Sequence, residues 1–295
     1  MTTRRGFIQS TAALSAAVFV KGPLTTFKAA PLIGLQLYTV RDAMALDPTG
    51  TLAKVANIGY NSVEDATYTG TQKFYGMDAL TFKKVLNDNG LVVPSGHYRL
   101  GEETDKGAIV NGTILHEWQK SVDDAAAVGL KYMVCAYLSD KERGSLDQYK
   151  KLAEIFNKAG ETCKKSGIQF CYHNHNFEFE AQTNVFPYDV LLDNTDKNLV
   201  KMELDLYWVK KAGMDPMALF AKHPGRFPLW HVKDMAKTAD QTFAEVGNGI
   251  IDFKTIFQHQ QLAGMKYFFV EQDKCPGSPF DSITQSIQYI KANLI

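Results

Sequence analysis

The pattern of apolar and polar positions predicts short buried strands that alternate with amphipathic helices. Five times a glycine ends a stretch with helical periodicity and an apolar run follows at once, at Gly59, Gly90, Gly129, Gly167 and Gly264. Glycine just past a helix end accepts the left-handed conformation that closes the helix, and the chain then enters a buried strand. Each of these glycines therefore marks the helix-to-strand junction of a repeating βα unit.

The intervals between these junctions predict eight strands in all. We expect them near Leu32–Tyr38, Tyr60–Asp65, Leu91–His97, Tyr132–Tyr137, Ile168–His173, Val200–Leu206, Phe227–Lys233 and Tyr267–Glu271. Helical periodicity fills the gaps, for example over Leu146–Lys165. A doubly wound sheet typically stops at about five or six strands and carries an early glycine-rich nucleotide turn, which the first strand lacks. The pattern thus predicts an α/β fold, a single-domain (β/α)8 TIM barrel over residues 31–295.

The first 30 residues have the pattern of an export signal. Paired arginines in Thr3–Gln9 precede the small and apolar run Ser10–Val20. This order is typical of a twin-arginine signal, and the run is shorter than the roughly 20 residues that a membrane-spanning helix needs. We therefore expect a periplasmic protein with no membrane span, and residues 1–30 are left out of the fold prediction.

Composition and charge favour a small-molecule substrate. The chain has 295 residues, of which 45% are hydrophobic, and its 32 Lys and Arg balance its 32 Asp and Glu. Because the charges balance, the protein has no strong positive electrostatic field that would attract nucleic acid or an anionic membrane. The four cysteines fit no zinc or C-x-x-C spacing, and Cys135 and Cys171 lie in predicted strands, where a free thiol packs as a small hydrophobe. No sequence feature indicates an oligomeric state.

Ionisable residues crowd the carboxyl ends of the last four predicted strands, where packing alone would place no charge. The four segments are Tyr172–Glu178, Met202–Trp208, Trp230–Asp234 and Phe269–Asp273. Strand side chains alternate in direction, so His173 shares a side with His175, Glu203 with Asp205, and His231 with Lys233. One of these sides is the lumen, and the loops at this end of a barrel build the active site.

Such an arrangement predicts a divalent-metal site. The lumen mouth would gather an imidazole from the fifth strand, a carboxylate from the sixth, an imidazole from the seventh and a carboxylate from the eighth. Mixed nitrogen and oxygen ligands suit Mn²⁺, Zn²⁺, Co²⁺ or Fe²⁺ better than Ca²⁺. Unpaired charges in a barrel mouth are costly unless a metal or partner compensates them. A single histidine at a strand end, such as His97, fits substrate contact and packing equally.

Six segments together carry a family resemblance. They are Gly34–Asp42, Tyr172–Phe179, Asp205 with Trp208, His231–Asp234, Gly247–Gly249 before Ile251–Phe253, and Val270–Asp273. Over residues 32–295 the chain resembles the xylose isomerase-like barrel superfamily, which includes sugar phosphate isomerases/epimerases, inosose dehydratases and endonuclease IV. These segments are specific for the superfamily, but they are weak evidence for any one activity within it. Endonuclease chemistry would need more ligands and a basic groove, against which the zero net charge argues.

The resemblance implies a ligand set for the metal. Members typically hold it with a strand-five Glu, a strand-six Asp, a strand-seven His and a strand-eight Glu, and the last three correspond to Asp205, His231 and Glu271. His173 stands where many members have the first Glu, and we take it as the fourth ligand and a candidate catalytic residue. Dehydratase-like members also have a histidine-rich fifth strand, so this departure favours elimination.

The shared chemistry implies a metal-dependent sugar isomerase or epimerase that forms an enediolate next to a carbonyl. Glu271 is the first candidate base, and Lys233 would neutralise the oxyanion unless it is an exposed lysine paired with Asp234. Family epimerases use paired strand-five and strand-eight glutamates, so here a histidine, Glu178, Glu203 or Lys233 would have to serve one face. One alternative is a dehydratase or lyase that expels a β-hydroxyl or glycosyl group from a keto-sugar, and another is a non-catalytic sugar-binding barrel.

The remaining candidates would bind substrate. Tyr38 and Trp208 would stack against a sugar ring or pack in the core, and the polar candidates are His97, His175, Arg41, Glu64, Glu178 and Glu203. Barrels often bind phosphate after strands seven and eight, near Gly247–Gly249 here. An exported protein meets few sugar phosphates, so we expect an unphosphorylated sugar, keto-sugar or oxidised glycoside and interpret these glycines as a turn.

Overall fold

Eight parallel strands close into a barrel in the computed structural model, which describes residues 31–101 and 107–295. The strands are β1 Gly34–Gln36, β2 Ser62–Asp65, β3 Val92–Tyr98, β4 Tyr132–Cys135, β5 Gln169–His173, β6 Val200–Asp205, β7 Leu229–Val232 and β8 Tyr267–Val270. They follow one another around the barrel in chain order, and β1 pairs with β8 to close it. The predicted fold class and all eight strands are confirmed.

Helices cover the outside of the barrel. They are α1 Arg41–Leu46, α2 Pro48–Ile58, α3 Ala79–Asp88, α4 Trp118–Val128, α5 Leu146–Lys165, α6 Pro187–Asn194, α7 Leu206–Lys211, α8 Pro216–Lys222, α9 Phe253–Gln258, α10 Gln260–Ala263 and α11 Pro279–Asn293. Short 3-10 turns span Leu37–Val40 and Phe177–Phe179. The predicted bounds of α5 are confirmed, and all five junction glycines have positive φ, from +66° to +112°. Two antiparallel ribbons extend the loops, Tyr68–Thr69 with Lys73–Phe74 and Asp234–Met235 with Phe243–Ala244.

Side-chain alternation along the strands separates an apolar outer face from the lumen. On β5, the rings of Phe170 and Tyr172 point outward and lie 5.5 and 5.2 Å from the ring of Phe156 on α5. On β7, Trp230 stacks on Phe220 of α8 at 5.1 Å. Because the outward positions bury the apolar surface against the helices, the inward positions are free to carry other chemistry.

The floor of the lumen is apolar. Val134, Cys171, Leu229 and Phe269 form a buried cluster inside the barrel, against which Tyr132 and Tyr267 pack. Phe269 fits there because β1 has a glycine beside it: a Cβ on Gly34 would lie 2.4 Å from Phe269 Cδ1. The floor therefore closes the barrel below the polar residues of the next level.

Three of the earlier expectations concern features other than the barrel itself. Cys135, Cys163 and Cys171 are buried, Cys275 is half-buried, and none of these four cysteines of the described chain forms a disulfide. Within the described residues, no helix is both long and apolar enough to cross a bilayer. The predicted export signal at residues 1–30 lies outside the described residues and stays a prediction.

Candidate active site

Inward-facing polar side chains form two levels above the apolar floor. The lower level, here called the inner polar layer, consists of Gln36, Glu64, His97, His173, Glu203 and His231. The upper level, here called the mouth group, consists of Asp205, Lys233, Glu271 and Asp273. Seven strands or strand ends contribute to these two levels, so the closed barrel brings together residues that are far apart in sequence.

The predicted metal ligands converge at the boundary between the two levels. His173 Nε2 lies 3.8 Å and His231 Nδ1 lies 3.9 Å from Asp205 Oδ2, and Glu271 Oε2 lies 2.9 Å from His231 Nδ1. Asp205 Oδ1 accepts a hydrogen bond from Trp208 N at the start of α7, which fixes the carboxylate. Asp205 Oδ2 is buried, and Lys233 Nζ lies 3.1 Å from it as an ion-pair partner.

These four residues fit a divalent cation. Ligand atoms of Asp205, His231 and Glu271 all lie within 4.8 Å of one another, and His173 Nε2 faces the same Asp205 oxygen. Two imidazole nitrogens and two carboxylate oxygens are a donor set that suits Zn²⁺, Mn²⁺, Co²⁺ or Fe²⁺. Besides its contact with Lys233 Nζ, Asp205 Oδ2 has further lone pairs that a cation could use.

Lys233 does not pair with Asp234, so the alternative role considered for it is wrong. Its side chain is only 1% exposed, and Nζ lies 2.7 Å from Glu271, 2.7 Å from Asp273 and 3.1 Å from Asp205. Burial alone would lower the pKa of Lys233, but the three carboxylates outweigh it and hold that pKa well above its usual value. Burial likewise opposes ionisation of Glu271, yet Lys233 and His231 hold its pKa well below the usual range. Both groups are therefore charged.

Asp234 instead organises the loop that follows β7. Its carboxylate accepts hydrogen bonds from the backbone N–H groups of Met235 (2.8 Å), Gly247 (2.9 Å), Gly249 (3.0 Å) and Ile251 (3.1 Å). Glycine is needed for this approach, because a Cβ on Gly249 would lie 2.3 Å from Asp234 Oδ1. The N–H groups that could hold a phosphate at this position of a barrel are thus already occupied by a carboxylate of the chain.

The inner polar layer alternates imidazoles and carboxylates. Glu203 Oε2 lies 2.7 Å from His97 Nε2 and 3.1 Å from His173 Nδ1, while Glu64 Oε2 lies 2.6 Å from His231 Nε2. Burial and the neighbouring Glu64 raise the pKa of Glu203 to about 7. Burial also opposes ionisation of Glu64, but His97 and His231 lower its pKa to about 2. Burial alone would lower the pKa of His231, yet the surrounding carboxylates raise it well above the usual value.

A cavity of about 560 Å³ opens above these two levels. Its lining includes Tyr38, Tyr137, His175, Lys233 and Glu271, as well as His97 and His173 from below. Tyr38 and Tyr137 are 43% and 47% exposed, so both present aromatic surface at the rim. A cavity with charged groups at its base and aromatic walls is suited to a small polar molecule with an apolar face.

His175 lies in an aromatic environment at the side of this cavity. Its ring stacks on Phe177 at 5.4 Å and lies 5.2 Å from Tyr137 and 5.5 Å from Trp208. Burial, together with the charge of Lys233, lowers the pKa of His175 to about 3. His175 is therefore a neutral imidazole, and its buried Nδ1 has no hydrogen-bond partner among the described residues.

Three other predicted substrate-binding residues make contacts within the protein. The Arg41 guanidinium lies 4.4 Å above the Tyr38 ring and donates to the carbonyls of Tyr38 and Asp273. Trp208 is half-buried, and Lys233 Nζ lies 5.7 Å from its ring. Glu178 is fully buried and accepts hydrogen bonds from Tyr172 Oη and His175 N, and burial raises its pKa to about 7.

The structure adds three residues to which the sequence assigned no role. Gln36 Nε2 donates to Glu64 Oε2 at 2.7 Å, and Asp273 is the third carboxylate on Lys233. Asn174 Oδ1 accepts from Asp205 N at 3.1 Å and links the ends of β5 and β6. Two of them carried a signal in the sequence: Gln36 interrupts an apolar strand, and Asp273 follows Glu271 at the spacing that places both on one side.

The fold and site define a (β/α)8 barrel with a histidine- and carboxylate-lined mouth. The chain belongs to the xylose isomerase-like TIM barrel family, whose model matches residues 52–293. Similar curated proteins are enzymes. An inosose dehydratase of Lacticaseibacillus casei is 25% identical over 259 residues (78% of this chain, 86% of the relative), and one of Clostridium beijerinckii is 25% identical over 266 residues (77% and 85%).

Solved structures agree on the fold. A sugar phosphate isomerase/epimerase of Parabacteroides distasonis has a TM-score of 0.75 at 29% identity, covering 92% of this chain and 96% of its own. The IolI protein, solved with a bound zinc atom, has a TM-score of 0.67 over 88% of this chain and 97% of its own. At 14% identity, this second likeness concerns the fold alone.

Proposed function

We propose that this protein is a divalent-metal-dependent enzyme that removes a proton next to the carbonyl group of an unphosphorylated sugar or keto-sugar. The observation that carries the proposal is the convergence of His173, Asp205, His231 and Glu271 beside the Lys233 ammonium at the base of one cavity. When bound there, a divalent cation would polarise the substrate carbonyl and stabilise negative charge on its oxygen.

Glu271 and Lys233 are suited to the first proton transfer. Glu271 lines the cavity and stays ionised, so its carboxylate can accept the proton from the α-carbon. Its low pKa makes it a weak base, and the reaction therefore depends on acidification of that proton by charge near the carbonyl. Lys233 Nζ lies 2.7 Å from Glu271 Oε2, where its positive charge can stabilise the oxyanion as the proton leaves.

His175 is suited to the opposite face of the substrate. It follows β5 whereas Glu271 follows β8, and β6 and β7 separate these strands around the barrel. A neutral imidazole can donate a hydrogen bond to an enediolate oxygen, and it can relay a proton from water to the carbon by taking up one proton as it releases another, so that His175 ends neutral while the proton on Glu271 returns to solvent. Return of a proton from this second face gives an epimer or an isomer, which is the outcome that we favour.

The substrate is proposed to lack phosphate. The carboxylate of Asp234 occupies the loop N–H groups after β7, and Lys233 is neutralised by three carboxylates, so neither feature offers a phosphate site. The aromatic surfaces of Tyr38 and Tyr137 suit the apolar face of a sugar ring. An unphosphorylated substrate also agrees with the export signal predicted for residues 1–30, from which we propose a periplasmic location.

Elimination is the second candidate, and two observations favour it. The curated relatives reported above are inosose dehydratases, and His173 stands in place of the strand-five glutamate of many family members. In this reaction the same enediolate would expel a β-hydroxyl or glycosyl group, and the leaving oxygen would take a proton relayed from water through the neutral His175. Turnover in deuterated water separates the two: deuterium at the α-carbon without loss of mass indicates an isomerase, and loss of water or of a glycosyl group indicates a lyase.

The proposal is tested first by elemental analysis of the purified protein. We expect about one equivalent of Mn, Zn, Co or Fe in the wild type, and its loss in the double variant Asp205→Ala/His231→Ala. The matched control Asp189→Ala/His223→Ala removes the same residue types outside the cavity and should keep the metal. A wild-type protein that stays metal-free after incubation with Mn²⁺ and Zn²⁺ contradicts the proposal. It would favour a non-catalytic barrel that binds sugar equally well with and without metal.

A further inference from the structure

Both proposed histidine ligands contact a buried carboxylate through the ring nitrogen that faces away from Asp205. His231 Nε2 lies 2.6 Å from Glu64 Oε2, while its Nδ1 faces Glu271 and Asp205. His173 repeats this arrangement, with Nδ1 3.1 Å from Glu203 and Nε2 toward Asp205. The same relation on two strands indicates that the carboxylates behind the ligands have a common role.

The orientation of Glu64 is determined by a chain of hydrogen bonds that begins at the backbone. Tyr38 N–H donates to Gln36 Oε1 at 3.1 Å, so the amide nitrogen of Gln36 must be at its other end. Gln36 Nε2 then donates to Glu64 Oε2 at 2.7 Å, which makes that oxygen an acceptor. The His231 nitrogen that contacts the same oxygen is therefore an N–H donor as well.

We propose that Glu64 is a positioning residue that keeps the hydrogen of His231 on Nε2 and thereby leaves the Nδ1 lone pair for the cation. This inference rests on the proposed function and adds an outer-sphere residue to it. Glu64 is completely buried, and its contacts are with Gln36 and imidazole nitrogens, so it acts through His231 and not on the substrate. Outer-sphere carboxylates of this kind fix the tautomer and ring orientation of a ligating histidine, and their loss typically lowers metal affinity about 10–100-fold.

The test compares Zn²⁺ affinity, measured by competition with a chelator, in the full-length protein and two variants. Glu64→Leu removes the acceptor and should weaken Zn²⁺ binding about 10–100-fold. Glu64→Gln retains an acceptor oxygen, so it should recover part of this loss, which a packing role alone would not produce. The control Asp65→Leu changes the adjacent buried carboxylate of the same strand, whose side chain points away from the lumen, and should bind Zn²⁺ as the wild type does.

A second measurement requires no variant. Long-range ¹⁵N–¹H NMR on the Zn²⁺-loaded wild type should show His231 with its hydrogen on Nε2 and the metal on Nδ1. Zinc on Nε2, or unchanged affinity in Glu64→Leu, overturns the inference about Glu64 and leaves the proposed metal site standing. A wild-type protein that binds no Zn²⁺ overturns both, so the two failures are distinguishable. If Glu64→Leu does not fold, the NMR result on the wild type decides.

Discussion

Replacement of Lys233 by methionine is the sharpest test of the charge balance in the mouth group. Methionine keeps most of the length of the side chain but removes the ammonium that contacts Asp205, Glu271 and Asp273. Lys233 is 1% exposed, and Asp205 and Glu271 are buried as well, so water cannot replace the lost positive charge. The change therefore leaves buried carboxylates without their compensating cation.

The expected loss is large for a single substitution. Removing one partner of a buried ion pair costs about 3–5 kcal/mol, because the other charge stays buried and unpaired. Asp273 is 26% exposed and retains part of its hydration, so we expect a loss of about 3 kcal/mol. The double variant Lys233→Met/Glu271→Gln also removes one of the unpaired buried charges. We therefore expect it to recover about 1 kcal/mol or more of the lost free energy of unfolding, as is common for residues in direct contact.

The free energy of unfolding of the wild type and of each variant is measured by urea unfolding. The proteins are first treated with a chelator, so that no bound cation contributes to their stability. The control is Lys222→Met, since Lys222 Nζ also lies 2.7 Å from a carboxylate, that of Asp189, but its side chain is 54% exposed. Exposed pairs contribute about 0–1 kcal/mol, so this variant should lose little. If Lys233→Met loses no more than Lys222→Met, the ammonium does not hold the mouth carboxylates together, and the reasoning is refuted.

Three further predictions concern the loop after β7, a buried acid and the thiols. Gly249→Ala places a Cβ 2.3 Å from Asp234 Oδ1 and should cost about 1–3 kcal/mol in urea unfolding, whereas Gly277→Ala, with no atom within 4 Å, should stay within about 0.5 kcal/mol. Burial raises the pKa of Asp65 from 3.8 to about 7, so the unfolded carboxyl ionises first and stability falls as pH rises between these values. Asp65→Asn should therefore lose less stability than the wild type between pH 5 and pH 8, and an equal loss contradicts the shift. In the native protein a thiol reagent should modify about one of the four cysteines, the half-buried Cys275, and the other three only after unfolding; rapid modification of all four would contradict their burial.

The strands and their order are predictable from the sequence because one physical signal recurs at five of the junctions between βα units. A glycine with positive φ ends the helix, and the apolar run that follows is buried against the helical layer. The convergence of His173, Asp205, His231 and Glu271 follows from the same regularity, since parallel strands place their carboxyl ends at one mouth. Consecutive residues of a strand point to opposite sides, so Lys233 and its neighbour Asp234 do not face each other. The alternative that paired these two residues did not take this alternation into account.

Other contacts depend on strand register and loop conformation, which a single sequence does not specify. Gln36 meets Glu64 because β1 and β2 pair with these two residues opposite each other. Asp234 reaches Gly247 and Gly249 because the loop between them folds back over the strand end. Glu178 lies away from the cavity because a 3-10 turn follows β5, so its contacts are with the outward-facing Tyr172 and the backbone of His175.

The long sequence separations within the inner polar layer have a consequence for folding. Glu64 and His231 are 167 positions apart, and His97 and Glu203 are 106 apart. These contacts join β2 and β3 of the first half of the chain to β6 and β7 of the second, whereas the four proposed metal ligands all lie between residues 173 and 271. A cation held by those four residues would therefore stabilise β5–β8, and the contacts of Glu64 and His97 would form only when the first half of the barrel joins the second.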